Sequence, residues 1–214
     1  PYQEVMVFET NDNRDLGMGI LLKNGYHLNG FKNHLHDLDK EGYSLFDIDC
    51  QEYEICTPNG DSIWVLNNHF SADEVQRQKQ AQKVSEIYKQ KLRNGKDLVI
   101  VSGTLNEASY SHCLAPLLRE TDLIDVSKHK RFTADRDNGS SGNYFSMGAY
   151  RMGVNIKQKD YFMLSPKLFE MVKASGMNRM GTWPERKPKW RLYPSIANKQ
   201  HAASEHPLIW ADFN

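Results

Sequence analysis

A predicted helix that runs directly into a buried strand constrains the fold of this 214-residue chain more than any other feature. Residues Ala72 to Asn94 place apolar side chains among Lys, Gln and Glu at helical spacing, and the following Gly95 is a typical helix stop. Leu98 to Val101 is then a short apolar run of the kind that forms a buried strand. A helix followed by a buried strand is typical of sheets that helices cover.

Polar residues come directly after this strand, at Thr104, Asn106, Glu107 and Ser109. Polar side chains just past the carboxyl end of such a strand often bind ligands or carry chemistry. The same pattern also fits an ordinary exit from a strand into a loop. The local sequence does not choose between these two interpretations.

Further strands are predicted where short apolar runs end at turn residues. They are Gln3–Thr10, Met18–Leu22, Leu45–Thr57, Asp61–Phe70, Asp160–Leu164 and Pro207–Phe213. The first two favour a hairpin, and the next two form an antiparallel pair around a Pro-Asn-Gly turn. Shorter helices are predicted from Cys113 to Leu118 and from Ser165 to Val172. The sequence therefore predicts an α+β (mixed α/β) fold in one domain, residues 1–214.

Three polar segments are predicted to be surface loops. Tyr26 to Gly42 contains three histidines, and we favour an exposed loop there over a metal cluster because the surrounding residues are polar and aperiodic. Ser127 to Tyr150 is a second loop. In the third, Gly176 to Ala203, arginines and lysines alternate with tryptophans, which fits either phosphate contact with base stacking or a solvated loop.

Composition excludes several classes of protein. The 27 basic and 27 acidic residues balance, so no overall field attracts a polyanion. The three cysteines have neither metal-binding spacing nor the even number of a disulfide framework. No signal-like start and no run of about 18 apolar residues is present, which predicts a soluble chain and leaves its localisation open.

Four polar motifs, each beside a predicted strand, carry a family resemblance. They read N-N-H-F at 67–70, S-G-T-L-N-E at 102–107, K-D-Y-F at 159–162 and A-S-E-H at 203–206. In this order they resemble the N-H pair, the G-D-x-N motif, the D-Y pair and the terminal S-D-H of the endonuclease/exonuclease/phosphatase superfamily. The resemblance covers nearly the whole chain. It implies a DNase I-like four-layer sandwich of two mixed β-sheets flanked by helices.

The resemblance also implies hydrolysis of phosphoester bonds with Mg²⁺ or Mn²⁺ and an activated water. By position, His206 would be the acid/base histidine and Asp160 would orient it. Asn106 would hold the scissile phosphate or the attacking water, and His69 would stabilise charge on the phosphate. The implied partner is a phosphoester substrate, with nucleic acid as one candidate class.

Three further positions would bind the phosphate or the metal. Arg14 and Asn68 would contact phosphate oxygens, for which a guanidinium is geometrically suited. Glu205 stands where the family has the aspartate of S-D-H, so it would be the metal ligand. The added methylene of glutamate displaces that charge, and small displacements in a preorganised site can cost on the order of 100-fold in rate.

Two departures from the family bear on activity. Thr104 replaces the aspartate of G-D-x-N, and a hydroxyl cannot serve as a carboxylate base. The family's first strands, with their glutamate metal ligand, would precede Gln3, so we expect exposed sheet edges that another copy of the chain could cover. The sequence therefore predicts a metal-dependent phosphoester hydrolase of reduced activity. The alternative is a degenerate member that binds a phosphate-bearing ligand, nucleic acid or protein without hydrolysis.

Overall fold

A computed structural model describes residues 2–12, 17–134, 158–178, 180–181, 198–204 and 206–214. Its strands are β1 Tyr2–Phe8, β2 Met18–Lys23, β3 His27–Asn33, β4 Asp49–Cys56, β5 Ser62–His69, β6 Val99–Thr104, β7 Ile124–Asp125, β8 Phe132–Ala134, β9 Asp160–Leu164, β10 Val172–Asn178 and β11 Leu208–Phe213. Its α-helices are α1 Glu74–Arg93, α2 Ala115–Leu118 and α3 Pro166–Glu170.

The central element is a six-stranded sheet with the order β3-β4-β5-β6-β9-β7. Strands β5 and β6 are parallel, and every other neighbouring pair in this sheet is antiparallel. The parallel pair follows from the sequence, because α1 lies between the two strands and carries the chain back to the start of the sheet. The carboxyl ends of β5 and β6 therefore meet at one edge of the sheet.

Helix α1 covers one face of this sheet. The Asp73 side chain caps it by accepting a hydrogen bond from the Gln76 backbone N–H at 2.9 Å, and Gly95 ends it with a φ of 72°. Its side chains Ala81, Val84 and Tyr88 are fully buried and pack with residues of β5, β6 and β9. The predicted helix Ala72–Asn94 is confirmed to within two residues at each end.

Two smaller sheets pack on the other face. The three-stranded sheet β11-β10-β8 contacts the side chains of Leu98 and Ile100, which alternate with those of Val99 and Val101 beneath α1. The hairpin β1-β2 packs on Tyr53 and Ile55 of β4. This arrangement confirms the α+β, DNase I-like sandwich, with the second sheet present in two parts within the described residues.

An apolar cavity of about 740 Å³ separates these two parts of the second layer. Its walls include Ile20 and Leu22 of the hairpin, and Ala211 and Phe213 of β11. Among the helices that the structure describes, none is long and apolar enough to cross a membrane.

Two of the predicted loops contain strands. The loop assigned to Tyr26–Gly42 is wrong over β3, whose Leu28 and Phe31 are partly buried against the hairpin core. The loop Ser127–Tyr150 includes β8, which pairs in parallel with β10, and residues 135–150 lie outside the described residues. In Gly176–Ala203, β10 continues to Asn178, and the stretch 182–197 with its Trp and Arg residues lies outside the described residues.

Candidate active site

The ends of three neighbouring strands bring three of the predicted residues together. Strand β5 ends at His69 and the parallel strand β6 ends at Thr104, while the antiparallel strand β9 begins at Asp160. The register pairs His69 with Thr104, and Thr104 with Asp160, so the three residues lie side by side across one edge of the sheet. Three of the four polar motifs therefore lie side by side in space.

Asp160 is the centre of a hydrogen-bonded chain. Its Oδ1 accepts a hydrogen bond from the Thr104 hydroxyl at 2.7 Å, and its Oδ2 lies 2.7 Å from Nδ1 of His206. The Asp160 side chain is 12% exposed and that of His206 is 38% exposed. A largely buried carboxylate thus holds a histidine that solvent can reach, which is the arrangement that orients an imidazole for proton transfer.

The turn into this site depends on Gly103. Its φ is 121°, and a Cβ on this residue would lie 1.9 Å from the backbone oxygen of Asn68. Asn68 itself is 2% exposed, and its Nδ2 donates hydrogen bonds to the carbonyls of Leu66 at 2.8 Å and Ser102 at 3.3 Å. The predicted phosphate contact of Asn68 does not fit this geometry, because the amide hydrogens tie β5 to β6 instead.

Asn106 adopts a strained backbone conformation beside the strand ends. Its φ is 57°, a left-handed value that asparagine tolerates better than most residues. Its Nδ2 donates a hydrogen bond to the carbonyl of Phe70 at 2.6 Å, which fixes the orientation of the side-chain amide. Because the amide is fixed in this way, the direction of its Oδ1 is set before any ligand binds.

A polar cavity of about 570 Å³ opens next to His69 and Asn106. Phe70, Ser71 and Ala72 form one wall of it. The other described lining residues come from two further segments of the chain: Asn11, Asp12, Ser44, Phe46, Asp47 and Ile48. The cavity therefore carries carboxylate, amide and imidazole groups, which suit a hydrated, charged ligand better than an apolar one.

The oxygen donors fit a divalent ion only in part. Mg²⁺ takes oxygen ligands and retains several waters, so one or two carboxylates can hold it. No group of three His, Cys, Asp or Glu side chains converges within the described ranges in a way that could bind a metal. Two predicted site residues, Glu205 for the metal and Arg14 for the phosphate, lie outside the described residues.

A second histidine–carboxylate cluster was not predicted. His34 is 1% exposed, with Nδ1 at 2.7 Å from Asp37 and Nε2 at 2.7 Å from Glu52. Lys83 pairs with Asp37 at 2.7 Å, and Lys91 pairs with Glu52 at 2.6 Å. The cluster ties β4 and the residues after β3 to the side of α1, so the prediction of an exposed loop is wrong at His34.

These pairings change the ionisation of the acids. Burial alone would raise the pKa of Glu52, but hydrogen bonds from His34 and Lys91 outweigh it and lower that pKa to about 2. The pKa of Asp37 is also lowered, because bonds from Lys83 and His34 exceed the effect of burial. Both carboxylates are therefore ionised at neutral pH, and the cluster is fully charged on its acidic side.

Comparison with known proteins identifies the fold. No protein-family model and no curated protein matches the sequence. A solved mannosyl-6-phosphatase from Bacteroides thetaiotaomicron aligns over 81% of this chain and 66% of its own, with 16% identity and a TM-score of 0.57. An endonuclease/exonuclease/phosphatase from Bacteroides vulgatus aligns over 99% and 76%, with 13% identity and a TM-score of 0.66.

A third structure, truncated Caenorhabditis elegans TDP2, aligns over 96% of this chain and 73% of its own, with 13% identity and a TM-score of 0.60. The chain spans 66% and 64% of the length of the first two structures found, both from Bacteroides thetaiotaomicron. At these identities the comparison establishes architecture. The chain has the endonuclease/exonuclease/phosphatase fold.

Proposed function

We propose that this protein is a metal-dependent phosphoester hydrolase of the endonuclease/exonuclease/phosphatase type, with activity reduced by its altered positions. The observation that carries the proposal is the contact of Asp160 with His206 at 2.7 Å, beside His69 and the cavity-lining Asn106. This geometry unites a general acid/base with polar groups that can bind a phosphate. Each of these residues was predicted from a separate motif.

The residues have complementary roles in the proposed reaction. With its Nδ1–H donated to Asp160, His206 has the tautomer in which Nε2 is the basic atom, so Nε2 takes the proton of the attacking water. The oxygen of this water attacks phosphorus as the bond between phosphorus and the leaving oxygen breaks. The leaving oxygen then takes up a proton. Asn106 orients the water or the phosphate, and His69 stabilises the charge that develops on the phosphate oxygens.

A divalent ion would supply further charge stabilisation on the phosphate. Glu205 is the residue that we propose to hold it, and Arg14 is the proposed phosphate contact. The carboxylates and amides of the neighbouring cavity are of the donor type that a hydrated Mg²⁺ or Mn²⁺ prefers. The proposed substrates are phosphoesters, and the Arg- and Trp-containing stretch 182–197 makes nucleic acid one class to test.

Thr104 explains why the proposed activity is reduced. Its hydroxyl donates a hydrogen bond to Asp160, so the position orients that carboxylate but adds no negative charge. An aspartate here would provide a second carboxylate for a cation or a base. The site thus retains its proton-transfer pair while it lacks one charged group.

The test is hydrolysis of bis-p-nitrophenyl phosphate, DNA and RNA by the purified chain with Mg²⁺ or Mn²⁺. We expect slow turnover that requires His206 and that EDTA abolishes. The loss of turnover in His206→Asn, with unchanged folding by circular dichroism, would support the assignment. Turnover that persists in His206→Asn, or that does not respond to EDTA, would contradict it.

A second candidate function is binding of a phosphate-bearing ligand without hydrolysis. The substitution of a neutral hydroxyl for a carboxylate at Thr104 favours it. Isothermal titration with inorganic phosphate and with a single-stranded oligonucleotide separates the two candidates. Binding without turnover under any metal condition would select this one, whereas His206-dependent turnover would exclude it.

A further inference from the structure

A buried arginine lies directly behind the candidate site. Arg77, in the first turns of α1, is 5% exposed. A guanidinium is rarely buried unless its donors are satisfied, because removing the charge from water is costly. In the described structure its two Nη atoms bond mainly to backbone carbonyls, with one carboxylate oxygen of Glu107 at 4.0 Å, and its Nε is buried without a hydrogen-bond partner.

These carbonyls belong to the two segments that leave the parallel strands. Nη1 donates to the carbonyls of Ser71 and Ala72 at 3.4 Å, just after β5, and to the carbonyl of Asn106 at 3.2 Å, just after β6. One rigid planar group therefore bridges both segments. Arginine suits this role because its donors are fixed in a fork, whereas a lysine ammonium is a single point of charge.

The bridge holds the one residue whose conformation is strained. Among the described non-glycine residues, only Asn106 has a positive φ, at 57°. Its side chain is held by the Phe70 carbonyl at 2.6 Å, and its own carbonyl is held by Arg77. A strained backbone conformation persists where several surrounding contacts hold it in place. Arg77 and Phe70 together provide that constraint.

A neighbouring glutamine on the same face of α1 supports the same segment. Gln80 is fully buried, its Oε1 accepts from the Ser71 N–H at 2.7 Å, and its Nε2 donates to the Leu45 carbonyl at 3.0 Å. Ser71 is thus held at its N–H by Gln80 and at its carbonyl by Arg77. The two side chains fix the segment that lines the cavity beside His69.

We propose that Arg77 is a positioning residue for the phosphoester site, acting through the strained backbone of Asn106. This inference rests on the proposed function for its kinetic readout, and it assigns the orientation of Asn106 to a group outside the cavity. Within the described residues Arg77 does not line the cavity; it donates to the backbone carbonyls of residues that do, and no hydrogen bond joins it to the Asp160–His206 pair. Its loss should therefore misplace Asn106 and leave the acid/base pair unchanged.

The test compares Arg77→Met with Arg77→Lys and with the matched control Arg93→Met, which changes an exposed arginine at the end of the same helix. At a temperature where all variants are folded, we expect Arg77→Met to lower kcat on bis-p-nitrophenyl phosphate by about 10- to 100-fold with KM within about threefold. Arg77→Lys should be intermediate, and Arg93→Met should equal the wild type. The pH profile of the remaining activity should not shift.

A second readout does not need activity. In ¹⁵N-labelled protein, the side-chain amide signals of Asn106 should move in Arg77→Met, while the ring signals of His206 should titrate as in the wild type. Unmoved Asn106 signals, or a folded Arg77→Met variant with wild-type kcat, would overturn the proposal. A wild-type protein without turnover would contradict the proposed function instead, and the Asn106 signals would still decide the role of Arg77.

Discussion

Two histidines of this protein make carboxylate contacts of equal length in opposite surroundings. His206 lies 2.7 Å from Asp160 with 38% of its side chain exposed, whereas His34 lies 2.7 Å from both Asp37 and Glu52 and is 1% exposed. Both nitrogens of His34 are bonded to carboxylates, so no nitrogen remains to exchange a proton with a ligand. His206 is bonded to Asp160 through Nδ1 and is accessible to solvent. The contact distance alone therefore does not distinguish a histidine that can transfer a proton from one that has a structural role.

The other partners of these carboxylates reinforce the difference. Asp37 and Glu52 are each paired with a lysine of α1, so the His34 cluster is a closed network of charges. Asp160 is held instead by the neutral hydroxyl of Thr104. A closed network stabilises one arrangement, whereas a histidine that solvent can reach can change its protonation state during a reaction.

The largest expected effect is on activity at the exposed pair. His206→Asn should lower kcat/KM on bis-p-nitrophenyl phosphate by about 10²- to 10⁴-fold, because the proton acceptor is lost. The free energy of unfolding should change by less than about 1 kcal/mol, because the side chain is partly exposed. Steady-state kinetics and urea unfolding measure the two quantities. The exposed His36→Asn is the control, and equal losses in both variants would refute the assignment.

The buried cluster should show the reverse pattern. His34→Leu leaves Asp37 and Glu52 facing an apolar side chain and should lower the free energy of unfolding by about 3 kcal/mol. At a temperature where the variant is folded, its kcat/KM should remain within about twofold of the wild type. Denaturant unfolding combined with kinetics checks this. A catalytic loss without a loss of stability would show that His34 belongs to the site.

These two clusters differ in how well the sequence predicts them. His69, Thr104, Asp160 and His206 follow or precede apolar runs, so the ends of predicted strands already indicate one edge of a sheet. His34 is separated by 18 residues from Glu52, and only the pairing of β3 with β4 brings them together. Its polar neighbours resemble those of an exposed loop. Tertiary pairing, rather than local pattern, decides its burial.

The helical spacing of α1 carries a signal for its buried polar groups. Arg77 and Gln80 precede Ala81, Val84 and Tyr88 at helical spacing, so they fall on the buried face. Polar residues on such a face require buried partners. The carbonyls that accept from Arg77 belong to the segments that follow β5 and β6. The position of those segments beside α1 depends on the tertiary fold, and no local pattern specifies it. The same holds for Asn68: the local pattern predicts that it lies at the end of a strand, but it does not predict that the side chain is buried.

A smaller effect is expected from restoring a charge at the altered position. Thr104→Asp should raise kcat/KM in Mg²⁺ by about 10-fold, because a carboxylate can bind a hard cation. Without metal it should lower the melting temperature, since the hydroxyl lies 2.7 Å from Asp160 and an aspartate would bring two like charges together. Thermal unfolding with and without Mg²⁺ measures this. Thr104→Asn, which adds no charge, should show neither effect, and a Thr104→Asp variant insensitive to Mg²⁺ would contradict the prediction.

The last expected effect is the acid dependence of the buried cluster, which is absent at neutral pH. The folded pKa of Glu52 is lowered from 4.5 to about 2, so its contribution to stability is fully present above pH 4.5 and is lost as the pH falls towards 2. Between pH 4.5 and 2, the free energy of unfolding of the wild type should fall faster than that of Glu52→Gln. The difference should be up to about 1 kcal/mol per pH unit. Urea unfolding at several pH values measures the difference. Parallel curves for the two proteins would show that Glu52 is not linked to folding.

A double-mutant cycle on the exposed pair tests the central claim most directly. The measurement is kcat/KM on bis-p-nitrophenyl phosphate with Mg²⁺ for the wild type, Asp160→Asn, His206→Asn and the double variant. If Asp160 acts by orienting His206, the double variant should be no slower than His206→Asn, within about twofold. Losses that simply multiply would contradict the assignment of the two residues to one proton-transfer unit.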